Sequence, residues 1–545
     1  MKKLWRYLKK VIFSRFVITM LIIIAQVYFL FACLFWFRVY WPVITAVMSL
    51  LSVSVIIYII NRDQNPAFKL SWMIPICTVP FLGTFMYLFV EGNVTTKGIK
   101  RAINRRIEES AVYLKQDPEI RKELSDKPCS MSAISQYVEN AGGFPTYKNT
   151  DVTYLPSGEA FLADLLEKLE TAEHFIFLEY FIVAEGYMWD SVLEILKKKV
   201  EQGVEVKLMI DGTCTWITLP NKYTEKMKSY GIDTRVFLPV VPIFSTHQNN
   251  RDHRKIIVID GKTAYTGGAN LADEYINQKT LHGHWKDVAV RLDGDAVRTF
   301  TVLFLQLWNV GDMRFDRRAF QPGEYGKYLV QEKSENLICD RSASTDAAVD
   351  AAAAKDGILG EGKRAYVMPY GDGPNSYHNL AENVYLDIMN RANRYIHVMS
   401  PYFINDHEII TAFKYAAERG TDVKLILPHI PDKKFAFDVA RTYYPALLKA
   451  GVKIYEYTPG FVHAKVFVSD DNKAVVGSIN LDFRSLYHHY ECAAYFYRCD
   501  AVLDVERDFQ ETLAKSQLVT MEYYKSIPWY RRLSGQVLKL FAPLF

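Results

Sequence analysis

Two octapeptides constrain this chain more than any other feature. Residues 253–260 read HRKIIVID and residues 463–470 read HAKVFVSD, so His-x-Lys-x-x-x-x-Asp is written twice. A glycine-led tetrapeptide follows each copy: GGAN ending at Asn270, and GSIN ending at Asn480. Each asparagine stands 17 residues after its histidine, from 253 to 270 and from 463 to 480. Matched elements at matched offsets indicate a duplicated unit. The flanks repeat as well. HFIFLEYFI (174–182) resembles YIHVMSPYFI (395–404), LKKKVEQGVEVKLMID (196–211) parallels YAAERGTDVKLILP (415–428), and MKSYGIDTRVF (227–237) parallels LLKAGVKIYEY (447–457). Each pair reads as strand, helix, strand, helix, strand leading into the His-Lys strand. That order implies an α/β sheet layered by helices, present twice. The halves cover 151–335 and 365–515. A surface linker, 336–364, joins them and includes the alanine-rich SASTDAAVDAAAAKDGILGEGK (342–363).

In a strand, residues i and i+2 share a face, so His253 projects with Lys255, and His463 with Lys465. Asp260 and Asp470 lie at an odd offset and read as organisers of the strand end. The glycines before Asn270 and Asn480 allow close backbone approach, and NLADEYI and NLDFRSLY read as helix starts capped by asparagine. A helix start beside His and Lys is an anion site. Two copies facing each other would surround one phosphate, with Asn270, Asn480 and Ser478 as supporting groups. Covalent phosphoryl-group transfer suits this set: one imidazole attacks phosphorus while the other, protonated, donates to the leaving oxygen. Each imidazole needs its second nitrogen held, and Asp287 and Glu491 fall at similar places after the two motifs. The lysines supply the positive charge, so no metal or cofactor is expected. The other histidines read as packing or surface residues, with His489 the one to watch.

The first 92 residues have a different character. An uncharged run extends from Phe16 to Phe37 within 11–37, a second apolar stretch covers 41–60, and a third, 70–90, is interrupted by Pro75, Pro80 and Gly83. Three such runs in succession predict a multi-pass membrane region. Basic clusters stand at Lys2, Lys3, Arg6, Lys9 and Lys10, and at Lys97, Lys100, Arg101, Arg105 and Arg106. Both belong on the cytoplasmic side, which requires an even number of crossings; a re-entrant third segment satisfies this. A basic connector, 93–150, leads to a cytoplasmic-facing catalytic region. The tail, 516–545, carries an amphipathic stretch at 527–545 that reads either as lying on the membrane or as packing on the core. Seven scattered cysteines without a Cys-x-x-Cys pair indicate neither a zinc ribbon nor a disulfide framework. A net charge of only +4, with no strong basic stripe, argues against nucleic acid as a partner.

These residues resemble the phospholipase D superfamily, and within it the bacterial cardiolipin synthases. The resemblance rests on RDHRKIIVIDG, GGANLADEY, SPYFI, PGFVHAKVFVSD, GSINLDFRS and the N-terminal 65–92, and covers roughly residues 41–545. It implies duplicated phospholipase D-like halves forming one active site, whose catalytic set counts Asp260 and Asp470 with His253, Lys255, His463 and Lys465. It also implies transfer between two phosphatidylglycerols to give cardiolipin and glycerol, through a phosphatidyl-histidine intermediate formed on His253. A hydrolytic phospholipase D, or a transferase using another alcohol, is the runner-up; a nuclease or a non-catalytic scaffold fits less. Two departures bear on substrate preference: His489 stands where relatives carry Asn, and PYFIND replaces PYFI-Pro-Asp.

Overall fold

The computed structural model describes residues 41–91, 94–126, 130–240, 249–310, 323–329 and 365–544, with isolated positions between 24 and 32. Most of the first hydrophobic stretch, the loop with His247 and the 336–364 linker lie outside the described residues.

The duplication read from the sequence is a duplication of sheets. Strands Thr150–Leu155 (β1), Phe175–Tyr180 (β2), Glu205–Asp211 (β3), Asp233–Phe237 (β4), Ile256–Ile259 (β5), Thr263–Gly267 (β6), His284–Lys286 (β7) and Ala289–Gly294 (β8) belong to the first half. All but β7 form one sheet in the order β1-β8-β6-β5-β2-β3-β4. The second half contributes Tyr366–Asp372 (β9), Tyr395–Met399 (β10), Phe403–Ile404 (β11), Asp422–Pro428 (β12), Lys453–Tyr457 (β13), Gly460–Val462 (β14), Val466–Ser469 (β15), Lys473–Gly477 (β16), Leu481–Asp482 (β17), Glu491–Tyr497 (β18) and Ser516–Leu518 (β19). Its large sheet runs β19-β13-β12-β10-β15-β16-β18-β9. Read from the other end this is the first sheet again, strand for strand, with β19 added. Both sheets are mixed. β2-β3-β4 and β10-β12-β13 are parallel, joined through helices, and the motif strands pair antiparallel.

Burial explains the composition of the strands. β2 reads FIFLEY with every residue buried, as a strand covered on both faces requires. The helix Val297–Trp308 buries every side chain except Arg298, with Thr299, Thr301 and Gln306 buried among its apolar residues. It packs on strands of the first sheet and on β9 of the second, so it lies inside the joint core rather than on its surface.

Asp260 and Asp470 organise strand ends, as expected. Each sits just past its strand with positive φ, 52° and 56°. The Asp260 carboxylate accepts the backbone N–H groups of Glu173, His174 and Phe175 at 2.7–2.8 Å. Asp470 does the same for Asn393, Arg394 and Tyr395 at 2.8–3.1 Å. One carboxylate thus ties the end of the motif strand to the start of its neighbour.

At the N-terminus, Trp41–Asn61 (α1) is a 21-residue helix without a charged side chain. The third apolar stretch is not one helix. Pro66–Thr78 (α2) and Pro80–Glu91 (α3) meet at Val79, and at about 1.5 Å per residue each falls well short of a ~30 Å hydrocarbon core. They form a tight hairpin. A Cβ on Gly83 would stand 2.5 Å from the backbone of Pro75, so only glycine permits the approach. Among the described residues no helix meets the length and hydropathy of a full membrane crossing, and α1 comes nearest.

The tail packs on the core by one face and leaves the other exposed. In the helix Trp529–Lys539, Gly535 packs against the backbone of Asp438, and Arg531 donates to the Asp438 carboxylate at 2.6 Å. The opposite stripe of Trp529, Leu533, Val537 and Leu540 is exposed. Beyond it the chain reaches α2, where Ser71 Oγ donates to the Leu540 carbonyl at 2.8 Å and Leu544 packs on the cluster of Val55, Ile59, Trp72, Ile76 and Tyr87.

Replacing Asp260 with Ala leaves three backbone donors without their acceptor and should cost about 2 kcal/mol or more. A melting temperature several degrees below wild type, measured by thermal unfolding in detergent, is the expected outcome. An unchanged melting temperature would remove the strand-end role.

Candidate active site

The two motifs are brought together by short parallel pairings across the halves. β7 pairs with β14, matching Trp285 with Phe461 and Lys286 with Val462. The register continues until the His463 N–H donates to the Lys286 carbonyl at 2.7 Å. On the other side Asp252 bridges to Tyr490, and the His253 N–H donates to the Tyr490 carbonyl at 2.9 Å. Each histidine is therefore anchored to the residue immediately before the other half's carboxylate.

That anchoring decides the side-chain partners, and they cross. His253 Nδ1 lies 2.8 Å and 3.0 Å from the two oxygens of Glu491. His463 Nδ1 lies 2.6 Å from Asp287 Oδ2. With Nδ1–H donated to a carboxylate, each ring keeps Nε2 free for chemistry. Both carboxylates are fully buried.

The glycines explain how the carboxylates get there. Gly267 and Gly477 let β6 and β16 press against β8 and β18; a Cβ would stand 2.4 Å from the carbonyl of Val288 or of Cys492. At the next position the halves differ. A Cβ on Gly268 would fall 2.0 Å from Asp287 Oδ1, whereas the matching Ser478 uses its hydroxyl to donate to Glu491 Oε2.

The lysines face the histidines as expected, although they precede the strands, since β5 begins at Ile256 and β15 at Val466. Lys255 Nζ donates to the His253 carbonyl at 2.6 Å. Lys465 Nζ donates to the His463 carbonyl and lies 2.9 Å from His463 Nδ1. Burial pulls Lys255 down to about 8, against Glu491, and Lys465 to about 7, against Asp287. Burial, then the ammoniums of Lys255 and Lys465 and the ring of His463, hold His253 well below its ordinary value. Burial and Lys465 push His463 down to about 4, despite Asp287. Burial alone would raise Asp287, but His463 and Lys465 outweigh it and keep that carboxyl low. The free imidazoles are thus neutral near pH 7, and an anionic phosphodiester would favour protonation of one of them.

Two expectations need correction. Asn270 and Asn480 do not cap helices. After Asn270 the chain stays extended, bridging Leu271 to Val183 before a short 3-10 turn at Asp273–Ile276; after Asn480, β17 pairs with β11 and leads into a π-helical turn, Arg484–His488. Extended pairing won over helix nucleation, so no helix N-terminus supplies the anion site. Asn270 Oδ1 instead accepts from the Ile182 N–H at 3.1 Å, and its Nδ2 donates to the Tyr275 hydroxyl at 2.7 Å. Asp260 and Asp470 stand at the far ends of four-residue strands, about 16 Å of chain from the lysines, and take no part in the site.

Sequence reasoning did not identify the rings around the histidines. Phe181 lies 5.0 Å from His253, and Tyr275 and Trp285 lie 5.4 Å and 5.2 Å from His463. Trp285 stands two residues before Asp287, the offset that separates His489 from Glu491; that symmetry was the available signal. His253, His489 and Glu491 bring metal-type donors within 4.8 Å of one another, as do Glu382, Asp406 and Glu408 elsewhere among the described residues. The ammoniums of Lys255 and Lys465 oppose a cation at the first group.

Comparison with known proteins follows this geometry. The family described as cardiolipin synthase, PLD-like domain, matches residues 165–308 and 385–513, and the phospholipase D-nuclease N-terminal family matches 50–92. A cardiolipin synthase of Geobacillus kaustophilus is 32% identical over 91% of this chain and 92% of its own length, and one of Alkalihalophilus pseudofirmus is 31% identical over the same shares. An uncharacterised protein of Streptococcus mutans is 44% identical over 90% of this chain and 99% of its own. Among solved structures, a phosphatidylserine synthase of Haemophilus influenzae shares the fold with a TM-score of 0.51 at 16% identity, covering 76% of this chain and 98% of that one.

Gly268→Ala should displace the Asp287 carboxylate and release the His463 ring while leaving the sheets intact. Turnover of a phosphodiester should fall roughly 100-fold with the melting temperature near wild type, read by steady-state kinetics beside thermal unfolding. Full activity in this variant would mean that the carboxylate's position is not required.

Proposed function

The chain belongs to the cardiolipin synthase family of phospholipase D-like enzymes. On that premise we propose that it joins two phosphatidylglycerol molecules into cardiolipin, releasing glycerol, through a phosphatidyl-histidine intermediate. The observation that carries this reading is the crossed pair of buried histidines, each braced by the other half's carboxylate and flanked by a lysine. His253 Nε2 attacks phosphorus as the bond from phosphorus to the glycerol oxygen breaks, and protonated His463 gives its proton to that oxygen. His463 then takes the proton from a hydroxyl of the second phosphatidylglycerol, whose oxygen attacks phosphorus as the phosphorus–nitrogen bond breaks. Lys255 and Lys465 stabilise the charge on the non-bridging oxygens. Assignment of the nucleophile to His253 follows the family resemblance. Water in place of the second lipid would give phosphatidic acid instead.

The substrates also account for the membrane region. On this reading the apolar sequence stretches 11–37 and 41–60 enter the bilayer, the short α2–α3 hairpin does not cross it, and both basic clusters and the catalytic halves face the cytoplasm. The exposed stripe of the tail helix, with Arg531, Arg532 and Lys539 nearby, lies at the headgroup boundary and keeps the site near its lipids.

Purified enzyme on vesicles of phosphatidylglycerol alone should form cardiolipin and glycerol in equal amounts, by mass spectrometry and a glycerol assay. His253→Ala and His463→Ala should each abolish this, with the double variant no worse than either single one. Phosphatidic acid as the sole product would favour the hydrolytic reading.

The double variant Leu533→Glu/Val537→Glu removes the exposed stripe without touching the Gly535 face. It should lower activity on vesicles about tenfold and leave turnover of a short-chain, soluble phosphatidylglycerol unchanged. Equal loss on both substrates would assign the stripe to folding.

A further inference from the structure

The pseudo-twofold site is not symmetric at one position. Trp285 and His489 each stand two residues before the carboxylate that holds the opposite histidine, and each ring lies beside that histidine: Trp285 5.2 Å from His463, His489 5.4 Å from His253. Their polar chemistry differs. The single indole N–H of Trp285 points at Asp287 Oδ2 at 3.4 Å. His489 is 7% exposed, yet neither of its ring nitrogens has a hydrogen-bond partner among the described residues. The nearest carboxylate oxygen, Glu491 Oε1, lies 3.8 Å from Nδ1, too far for a hydrogen bond. The ring is also held in place. Its own backbone N–H donates to the Arg484 carbonyl at 2.8 Å, and Phe181 stacks 6.4 Å away. Burial pushes its pKa down to about 3, against the pull of Glu491, so the ring is neutral and offers one N–H.

A buried imidazole without a partner is costly, and such a group in a cleft marks a ligand position. The ligand here is defined by its surroundings. His489 lies against the His253 ring, and both Lys255 and Lys465 stand close enough to His253 to depress its pKa, so what binds beside these rings is anionic, and its oxygens accept hydrogen bonds.

We propose that His489 is a third substrate-contacting residue, whose ring N–H donates to a non-bridging oxygen of the phosphodiester on the His253 side. The contact rests on the phosphatidyl-transfer reading only for the identity of the lipid; its chemistry holds for any phosphodiester in this pocket. Charge builds on the non-bridging oxygens as phosphorus becomes five-coordinate, so the bond is strongest in the transition state. Among the described residues no equivalent stands at the His463 end, where Trp285 has its only donor turned to Asp287. The two ends of the site are thereby chemically distinct although the motifs are identical.

The test compares wild type with His489→Phe, which keeps the ring and removes both nitrogens, and His489→Asn, which restores an N–H. Substrates are phosphatidylglycerol vesicles and bis(p-nitrophenyl) phosphate, a soluble chromogenic phosphodiester. His489→Phe should lower kcat roughly 100-fold on both substrates with little change in KM, and His489→Asn should recover most of the loss. Inhibition by vanadate, which mimics five-coordinate phosphorus, should weaken at least tenfold more than inhibition by inorganic phosphate in His489→Phe. Unchanged kcat in His489→Phe would make the residue a bystander and overturn the proposal. Equal loss in His489→Phe and His489→Asn, with vanadate and phosphate weakened alike, would overturn it in favour of packing. Melting temperatures of both variants identify a folding defect, and if His489→Phe fails to fold, His489→Gln replaces it in the vanadate comparison, with unaltered inhibition expected. The wild-type arm is read separately: no cardiolipin from phosphatidylglycerol overturns the transfer reading, while the chromogenic diester and vanadate still decide His489.

Discussion

Each motif imidazole is held by a carboxylate from the other half of the chain, and the rest of the candidate site depends on that crossing. His253 is fixed by Glu491, and His463 by Asp287. A half on its own would carry an unbraced histidine and a buried carboxylate without its partner, both costly in a low-dielectric interior. The short β7–β14 pairing and the Asp252–Tyr490 bridge, which look incidental beside the two large sheets, set the register of the crossing. The glycines at 267 and 477 let the strands close far enough for the carboxylates to reach.

Burial then sets the protonation states. The same desolvation that keeps the imidazoles neutral also lowers Lys255 and Lys465 into the range of about 7 to 8. Two ammoniums, two imidazoles and two carboxylates share one buried space, and their charges are tightly interdependent. An incoming phosphodiester supplies the negative charge that this arrangement favours, and it strengthens the lysines' hold on their protons at the moment they are needed.

The catalytic halves and the N-terminal helices are also physically joined. Phe68 on α2 packs against Phe483, Tyr487 and His488, on the turn that carries His489 into the site. Asn65, at the start of α2, donates to Asp406 and to the Tyr487 hydroxyl at 2.8 and 2.9 Å. The tail closes the contact, with His488 Nε2 3.0 Å from the Pro543 carbonyl. The N-terminal helices, the last residues of the tail and the rim of the site therefore meet at one turn.

The sequence by itself determined the duplication, the α/β character of each half, the grouping of a histidine with a lysine in each motif, and the strand-end role of Asp260 and Asp470. These follow from local rules: alternation along a strand, matched spacing, and the geometry that glycine alone permits. It also pointed to Asp287 and Glu491, but their offsets from the motifs were equally compatible with bracing the histidine of their own half. Only the tertiary structure decided that the partners cross, because backbone pairing between segments far apart in the chain sets which carboxylate meets which ring. The same holds for the asparagines. GGAN and GSIN followed by apolar residues read as helix starts, yet Leu271 and Leu481 found strand partners in Val183 and Phe403, and extended pairing replaced the helix. Tyr-Phe-Ile at 180–182 and 402–404 invites a direct match, but the strand partners shift it. Through its pairing with Leu481, Phe403 takes the place of Val183 rather than that of Phe181. Local patterns fix what each segment is; which segment it meets is decided by long-range burial, and that information is spread over the whole chain.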